Sequence, residues 1–393
     1  MTRKVYLEPP WVMHAGQQRL VAHPPAGYEF VVKETAQEKV FRTATRWNAL
    51  RFILRSSDTI LPTGLVKSWL ERKNKPPAGT ALTYSVDHLV FRSEPWVMEV
   101  EFASLVAGRD PKHLKRFKGI MERALASYHC RKVLCVSEAG RRTLLADLDS
   151  RSFQHKTEVV HYTVPPKSFA KEQSDKKVKL IFVGADALRS SEEAFEYKGG
   201  REVLETYAQL RSRFRCLELV VRSKVPSELK ARYQGLEGLK IIEDYIPWEE
   251  LEQEYLSADI SILPSHTTIP ATVLEAMSYE LPVVTIDSWA NAEYVEDGRT
   301  GLVGPRSTKL PYYYPGTSQV NFGTPQYNEA MRITDPKVVE GLAQRVGLLI
   351  EDPELRRQMG KAARWEVEHG MFSLAKINTQ LGRIFDEAVA GDG

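Results

Sequence analysis

The second half of this 393-residue chain alternates short apolar runs with amphipathic helical stretches, and this pattern constrains the fold more than any other feature. The runs predict strands at 179–185, 217–223, 239–246, 258–265 and 281–287. Each run is almost continuously apolar, which is typical of a strand covered on both faces, and helical patterns separate consecutive runs. We therefore predict a doubly wound α/β domain built on a parallel sheet.

The first half repeats this alternation less regularly. Strands are predicted at 4–9, 28–32, 58–64, 80–86, 95–101, 132–138 and 158–164, and helices at 45–56, 65–74, 110–129 and 138–148. A chain of this length exceeds one ordinary core and fits two domains. We predict a first Rossmann-like domain at 1–168, a linker at 169–177, a second Rossmann-like domain at 178–370, and a C-terminal helical segment at 371–393.

Composition excludes several classes of protein. No apolar run reaches the roughly 18 residues that a membrane-spanning helix needs, and the first residues lack the apolar core of a signal peptide. The three cysteines are too few and too scattered for a disulfide framework or a zinc site. These features predict a cytoplasmic protein.

Charge is distributed unevenly along the chain. Residues 1–170 contain 27 Lys and Arg against 16 Asp and Glu, whereas the whole chain carries only +3. The basic stretches 45–56 and 110–129 suit peripheral contact with an anionic membrane at its inner face, or packing on a sheet with a solvated basic face. Both interpretations stay open. Nucleic acid is not expected, since no binding module is recognisable.

Ligands of doubly wound sheets bind beyond the carboxyl ends of the strands, where helix N-termini also point. The fourth predicted strand of the second half ends at that edge, and a helix carrying Glu275 follows it. Leu274 and Met277 belong to the packing stripe of this helix, while Glu275 lies off the stripe between the small residues Ala271 and Ser278. The pattern predicts a ligand at the Glu275 carboxylate, with an ordinary helix salt bridge as the alternative.

The stretch "PATVLEAMSYELPVVTIDSWANAEYVEDGRTGLV" resembles the donor-site signature of family 4 glycosyltransferases. The stretches "IFVGADALRSSEEAFEYKGG" and "EDYIPWEELEQEYLSADISILPS" resemble other parts of the same domain in that family. The resemblance implies the GT-B fold, in which two Rossmann-like domains face each other across a cleft and the C-terminal helix returns to the first domain. It also implies a retaining glycosyltransferase of the hexosyltransferase type.

By the same resemblance, the donor would be a UDP- or GDP-linked sugar, the acceptor a saccharide or glycolipid, and neither metal nor other cofactor would be needed. Glu275 would accept hydrogen bonds from the ribose hydroxyls, and Lys198 would neutralise the departing diphosphate. The other implied donor-side residues are Val273 and Leu274 through their amides, Tyr245 and Ile246 through their backbone, Glu293 behind the loop that follows the last strand, and Gly184 after the first strand.

Departures from the family pattern concern both domains. Thr267 stands where the family has an acidic residue, and Thr268, Pro270, Trp289 and Ala290 stand where it has glycines. A basic residue that often follows Gly184 is absent, and Arg189 or Arg222 could replace it. In the first domain, Gly16 is what remains of a glycine pair on the acceptor side. Asp87, His88 and Glu101 are candidates to assist catalysis, with a structural role as the alternative for His88.

Three alternatives to the transferase remain at this point: a nucleotide-sugar epimerase, a phosphorylase, and a non-catalytic relative that binds nucleotide sugars. Asp147 and Asp149 match the Asp-x-Asp metal motif of a different transferase fold, but they end a predicted helix, and we expect them at the surface. The irregular stretch 304–330 predicts a long loop with a functional role or high mobility.

Overall fold

The computed structural model describes residues 2–8, 15–32, 62–108, 111–171, 177–184, 192–267, 270–310 and 325–391. The described chain forms two compact units. The first contains the residues up to Tyr162 and those from Ala375 onward, and the second contains Thr163 to 310 and Pro325 to Leu374. Each unit has one six-stranded sheet.

The sheet of the first unit is parallel throughout. Its strands are β1 (Arg3–Glu8), β2 (Tyr28–Val31), β3 (Thr80–Val86), β4 (Trp96–Val100), β5 (Cys130–Cys135) and β6 (Thr157–Val159). They lie in the order β2-β1-β3-β4-β5-β6, so the chain reverses its direction of travel across the sheet between β1 and β3. The predicted strands are confirmed except at 58–64, where the described part, from Thr63 on, begins a helix.

Helices cover both faces of this sheet. They are α1 (Ala15–Ala22), α2 (Thr63–Glu71), α3 (Ala103–Ala107), α4 (Pro111–Ala126), α5 (Glu138–Asp147) and, from the end of the chain, α15 (Leu374–Ala390). On α4, Leu114, Met121 and Leu125 are buried in the core while the lysines and arginines are exposed, which favours the packed-helix interpretation of that basic stretch. The other basic stretch, 45–56, lies outside the described residues.

The last helix completes the core on the opposite face of the first sheet. Ile377, Leu381 and Phe385 of α15 pack with Val5 and Leu7 of β1. The Phe385 ring also meets the rings of Tyr28, Phe30 and Tyr84 edge-on, at centroid distances of 5.2 to 6.1 Å. A segment more than 200 residues away in sequence from the rest of the unit thus supplies one of its two apolar layers.

The second unit repeats the architecture. Its strands are β7 (Val178–Val183), β8 (Leu217–Arg222), β9 (Leu239–Ile242), β10 (Ile260–Ile262), β11 (Val283–Ile286) and β12 (Gly301–Gly304). They are parallel and lie in the order β12-β11-β10-β7-β8-β9. The five strands predicted for this half are confirmed, and β12 is an addition at one edge.

The helices of the second unit are α6 (Glu192–Tyr197), α7 (Gly200–Arg211), α8 (Ser227–Tyr233), α9 (Trp248–Ser257), α10 (Pro270–Ser278), α11 (Asn291–Tyr294), α12 (Pro325–Met331), α13 (Pro336–Glu351) and α14 (Pro353–Glu368). Helix α12 occupies the end of the stretch expected to be a loop, whose residues 311–324 lie outside the description. Helix α13, capped by the Asp335 carboxylate, is missing from the sequence prediction.

The three cysteines are unpaired in the structure. Cys130 and Cys135 are buried on β5, and burial raises the pKa of each thiol to about 12, while Cys216 is exposed. Asp149 lies just beyond α5, where the guanidinium of Arg151 lowers the pKa of its carboxyl to about 2, as expected for a surface pair. None of the helices in the described ranges is long and apolar enough to cross a bilayer.

Candidate functional site

The topological switch point of the second unit lies between β7 and β10. These strands are neighbours, and the chain leaves them in opposite directions across the sheet. Open α/β sheets bind their ligands in the crevice that such a reversal leaves at the carboxyl ends of the strands. The described segments that border this crevice are Gly184 after β7 and the loop Leu263–Thr267 after β10.

Lys198 is held against the loop that follows β10. The His266 amide donates to the Tyr197 carbonyl oxygen at 2.9 Å, and the Ser265 hydroxyl donates to the same oxygen at 3.3 Å. Gly199 adopts a left-handed backbone conformation with φ of 76°, and a Cβ there would lie 2.2 Å from the Pro264 carbonyl oxygen. This contact places half-buried Lys198 and Thr267 on adjoining segments at the switch point.

Glu275 lies on α10 and is almost entirely buried. Lys167 Nζ lies 2.9 Å from its Oε1 atom, and the exposed fractions of the two side chains are 18% and 5%. The same ammonium lies over the rings of Trp248 and Tyr279, 5.0 and 5.1 Å from their centroids. The carboxylate therefore pairs with a cation that also contacts two aromatic rings, Trp248 on α9 and Tyr279 directly after α10. The salt bridge that the sequence left open is present, and its partner Lys167 could not be identified from spacing.

The segment carrying Lys167 is anchored at the far end of α10. Lys171 donates to the Tyr279 carbonyl oxygen at 3.1 Å, and burial lowers the pKa of its ammonium to about 8. The Phe169 ring contacts the Tyr279 ring with centroids 5.6 Å apart. These contacts fix the path of the backbone that follows Lys167. The Lys167–Glu275 pair is consequently part of the packing of this unit, in addition to any role in binding.

The start of α10 offers backbone amides that differ from those the resemblance implies. Because the helix begins at Pro270, the amide of Leu274 is positioned to donate to the Pro270 carbonyl, as in any regular α-helix. The amides of the first turn have no acceptor within the helix, and those with a proton belong to Ala271 and Thr272. Val273 and Leu274 are buried side chains of the core. The contacts proposed for their amides remain a prediction, and Ala271 and Thr272 are the better donors.

Gly184 and Arg222 lie on the other side of β7. The Gly184 amide donates to the Arg222 carbonyl oxygen at 2.9 Å, and a Cβ on Gly184 would lie 2.5 Å from the Phe182 ring and 2.8 Å from the Ser223 hydroxyl. Arg222 ends β8 and is only 2% exposed. Of the two arginines considered for the charge after Gly184, Arg222 is therefore at the correct edge of the sheet, and Arg189 lies outside the described residues.

The remaining donor-side candidates also lie at the carboxyl edge. Tyr245, 66% exposed, and half-buried Ile246 form the loop between β9 and α9. Glu293 lies on α11, the short helix that follows β11. Trp289, which stands where a glycine is expected, keeps a left-handed backbone with φ of 51°. Such a conformation costs a non-glycine residue about 1 kcal/mol, so the surroundings hold this loop in a glycine-like shape.

A small cleft opens beside Trp289. It is lined by His266, Ser288, Trp289, Arg306, Ser307, Leu310 and Tyr327. The His266 carbonyl oxygen accepts hydrogen bonds from the Ser288 and Tyr327 hydroxyls at 3.2 and 3.1 Å, and the His266 ring faces Glu202 at 3.2 Å. His266 was not among the predicted residues. Nothing in its sequence context distinguishes it from an ordinary buried histidine.

The first unit gathers its candidates at the carboxyl ends of β1, β3 and β4. Asp87 has φ of 49°, and its carboxylate accepts from the Glu101 amide at 3.1 Å, so these two candidates touch. His88 is 4% exposed, with Nδ1 3.3 Å from the Ser68 hydroxyl and Nε2 3.4 Å from Glu8. Glu8 also binds Arg92. This buried cluster favours the structural interpretation of His88.

Gly16 on α1 borders a second buried cluster. A Cβ on Gly16 would lie 2.5 Å from the Tyr162 ring, so only glycine lets α1 approach it. Tyr162 donates to Glu99 at 3.0 Å, and Tyr84 and Gln17 donate to the same carboxylate at 2.6 Å each. Burial raises the pKa of Glu99 above its ordinary value, and the three hydrogen bonds offset this only in part. Glu99 is a second residue that the sequence pattern does not reveal.

Replacing Glu99 with Gln is expected to remove a pH-dependent loss of stability. As pH rises above the ordinary pKa of a glutamate, the unfolded chain loses this proton first, so wild-type stability falls until the raised folded pKa is passed. The slope is at most about 1.4 kcal/mol per pH unit. Urea unfolding of both proteins across this pH range measures it. The stability of Glu99→Gln relative to wild type should rise with pH, and a constant difference would contradict the raised pKa.

The described residues contain no group of three or more His, Cys, Asp or Glu side chains placed to hold a metal ion. Residues 177–310 match the model of a family described as glycosyl transferases group 1. The matched range, roughly a third of the chain, includes both segments at the switch point and the whole of α10.

Two characterised proteins share part of the sequence. An alpha-D-kanosaminyltransferase of Streptomyces kanamyceticus is 25% identical over 195 residues, which are 48% of this chain and 42% of that protein. A sulfoquinovosyl transferase of Arabidopsis thaliana is 29% identical over 121 residues, 30% of this chain and 18% of that protein. The chain thus spans less than half of the length of either relative.

Solved structures match along the whole chain. A glycosyltransferase from Rickettsia africae has a TM-score of 0.62 at 13% identity, with 100% of both chains covered. The Anabaena protein HepE, solved in complex with UDP and glucose, has a TM-score of 0.59 at 13% identity, covering 98% of this chain and 100% of its own. The fold is GT-B. The two parallel six-stranded sheets are the two Rossmann-like units of this GT-B chain, as the resemblance predicts.

Proposed function

We propose that this GT-B chain is a retaining glycosyltransferase, which moves a sugar from a UDP- or GDP-linked donor to a saccharide or glycolipid acceptor in the cytoplasm. The observation that carries the proposal is the match of residues 177–310 to a glycosyltransferase family over the segments that border the switch point. The two partial relatives are named as glycosyltransferases, and HepE is described with UDP. The donor is a co-substrate, and no other cofactor is invoked.

In this proposal the second unit binds the donor. Glu275 accepts hydrogen bonds from the ribose diol, for which a carboxylate is suited because both of its oxygens accept only. The ion pair with Lys167 engages one of these two oxygens, Oε1, and keeps the carboxylate charged. Trp248 and Tyr245, both exposed at the same edge, offer ring and backbone to the nucleobase.

Lys198 and the first-turn amides of Ala271 and Thr272 would stabilise the diphosphate. The negative charge on the leaving oxygen grows in the transition state, so positive groups fixed in advance lower the barrier. In a front-face reaction the acceptor oxygen bonds to the anomeric carbon as the bond from that carbon to the phosphate oxygen breaks. The acceptor proton passes to the leaving phosphate, and the products are a glycoside of unchanged anomeric configuration and a nucleoside diphosphate.

The test begins with a thermal-shift panel of UDP, GDP and ADP and their sugars. A ligand that binds only the folded chain raises its melting temperature by mass action, so one nucleotide should stand out. The selected sugar donor is then incubated with saccharide and glycolipid acceptors. We expect nucleoside diphosphate release that depends on acceptor, and a glycoside whose anomeric configuration, read by NMR, equals that of the donor. Inversion of configuration would contradict the retaining mechanism.

Other outcomes identify the alternatives. Conversion of the donor sugar without an acceptor indicates an epimerase, and consumption of inorganic phosphate indicates a phosphorylase. Stabilisation by a nucleotide sugar with no turnover indicates a non-catalytic binding protein. This alternative is considered because Thr267 stands where the family has an acidic residue. In that case Thr267→Glu should create measurable turnover.

A further inference from the structure

Helix α2 of the first unit exposes apolar and cationic side chains together. Val66, Trp69 and Leu70 are 41%, 49% and 53% exposed and lie at spacings of three and four residues, so they share one face of the helix. The opposite face, with Leu65, Ser68 and Glu71, is buried. An apolar helix face of this size on the surface of a globular unit needs an explanation, because scattered single side chains are normal but contiguous ones are not.

A neighbouring loop extends this face. The Leu89 amide donates to the Ser68 hydroxyl at 3.1 Å, and Arg92 donates to the Glu71 carbonyl oxygen at 3.0 Å. The residues between are therefore held along α2, and Phe91 among them is 36% exposed. We define the α2 patch as Val66, Trp69, Leu70 and Phe91 together with the adjacent cations Lys67, Arg72, Lys73 and Lys75.

The charges of the α2 patch have one sign. Residues 62–79 contain these four cations and a single acid, Glu71, which is buried and bound by Asn74 at 2.5 Å. The Arg72 guanidinium lies 3.9 Å over the Trp69 ring, so a cation and the largest apolar side chain are presented at the same place. Helix α4, whose exposed residues include Lys112, Lys115, Arg116 and Lys118, packs on the same short helix α3 as α2 does.

We propose that the α2 patch binds the surface of an anionic lipid bilayer. Apolar side chains flanked by lysine and arginine are the pattern by which a helix lies in the interface, with its rings and aliphatic groups among the acyl chains and its cations at the head groups. Tryptophan is particularly suited to that boundary, because its ring is apolar and its N–H is polar. The proposal concerns attachment of the protein and is independent of the proposed transferase reaction.

Two other occupants fit less well. Lysine is depleted in protein–protein interfaces, whereas three of the four cations in the α2 patch are lysines. A second copy related by a two-fold axis would bring the patch against itself and oppose cation to cation. An anionic bilayer complements both the charge and the apolar surface.

Co-sedimentation of the full chain with vesicles tests the proposal. Wild type should bind vesicles containing phosphatidylglycerol and not vesicles of phosphatidylcholine alone, and added salt should weaken the binding. The double variant Trp69→Gln/Leu70→Gln should bind about tenfold or more weakly, because two half-exposed apolar side chains are lost. The variant Lys73→Gln should lose about fivefold, in line with the contribution of one cation near a charged membrane.

Trp365→Gln is the matched control. Trp365 is also 49% exposed, but it lies on α14 of the second unit beside Arg299, so its replacement should leave vesicle binding unchanged. Because all replaced side chains are exposed, circular dichroism and melting temperature should match wild type. Equal binding by wild type and the double variant, or an equal loss in Trp365→Gln, would overturn the proposal. The proposal would also be overturned if wild type did not bind vesicles but formed a dimer, and the double variant were monomeric.

Discussion

Glu275→Gln is expected to lose most of the thermal stabilisation that the preferred nucleotide gives to wild type. Glutamine keeps the shape of the side chain but loses the charge, and hydrogen bonds to a charged group contribute about 1.5–3 kcal/mol each. A loss of one such contribution lowers nucleotide affinity by roughly 10- to 100-fold. Isothermal titration calorimetry with the nucleotide found in the panel measures this directly. An unchanged affinity would contradict the ribose contact.

Two variants separate binding from packing. Glu280→Gln replaces a carboxylate two residues beyond α10, which pairs with Arg364 at 3.5 Å and is 16% exposed, and it should leave nucleotide affinity as it is. Lys167→Met removes the ion-pair partner of Glu275 while keeping an apolar stem between the two rings. If Lys167→Met reproduces the full loss of affinity, binding depends on the intact ion pair and not on the Glu275 carboxylate alone. The assignment of the ribose contact to Glu275 then fails.

Gly199→Ala should be among the most destabilising single-methyl additions in the second unit. The left-handed backbone costs alanine about 1 kcal/mol, and the new Cβ would lie 2.2 Å from the backbone oxygen of Pro264, which cannot move like a flexible side chain. We expect a total loss of about 3 kcal/mol or more. Because the same turn positions Lys198, the nucleotide-induced thermal shift should also shrink.

Gly235→Ala provides the comparison for that experiment. Gly235 has φ of 80° in the same unit, but no atom lies within 4 Å of a Cβ built there. Its replacement carries the conformational cost of about 1 kcal/mol without the collision. Urea or thermal unfolding of both variants isolates the contact with Pro264. Equal destabilisation by the two substitutions would show that the approach of the Lys198 turn to the β10 loop is not tight.

Periodicity predicted most strands well because the apolar runs that contain them identify themselves locally, as at β7 and β8. It did poorly where a local signal was ambiguous. The sequence pattern placed Thr63 and Gly64 at the end of a strand, although they start α2. Which face of α2 is buried depends on the packing of this helix and could not be predicted from the sequence. Helix α13 carries a proline at its start and a capping Asp335, and the sequence prediction did not use these two signals.

The candidate site divides in a similar way. Motifs located Gly184, Lys198 and Thr267 beside the switch point because that crevice is set by strand order, while the meeting of Glu275 with the same ligand stays a prediction. They could not find Lys167, which lies 108 residues before its partner Glu275 and in no motif. The Glu99 cluster was invisible for the same reason, since Gln17, Tyr84 and Tyr162 converge on it from three distant segments. Spacing identifies neighbours within one element, and only the fold identifies neighbours between elements.

Helix α15 has a consequence for biosynthesis. A ribosome makes the first unit's six strands early, yet Ile377, Leu381 and Phe385, which cover Val5 and Leu7, emerge only after the whole second unit has been made. Until then an apolar sheet face of the nascent polypeptide has no cover, while the second unit can already close around its own strands. The second unit can therefore complete its fold before the first unit, although the first unit is synthesised earlier. Premature termination anywhere before α15 would leave an exposed apolar surface that chaperones and proteases recognise.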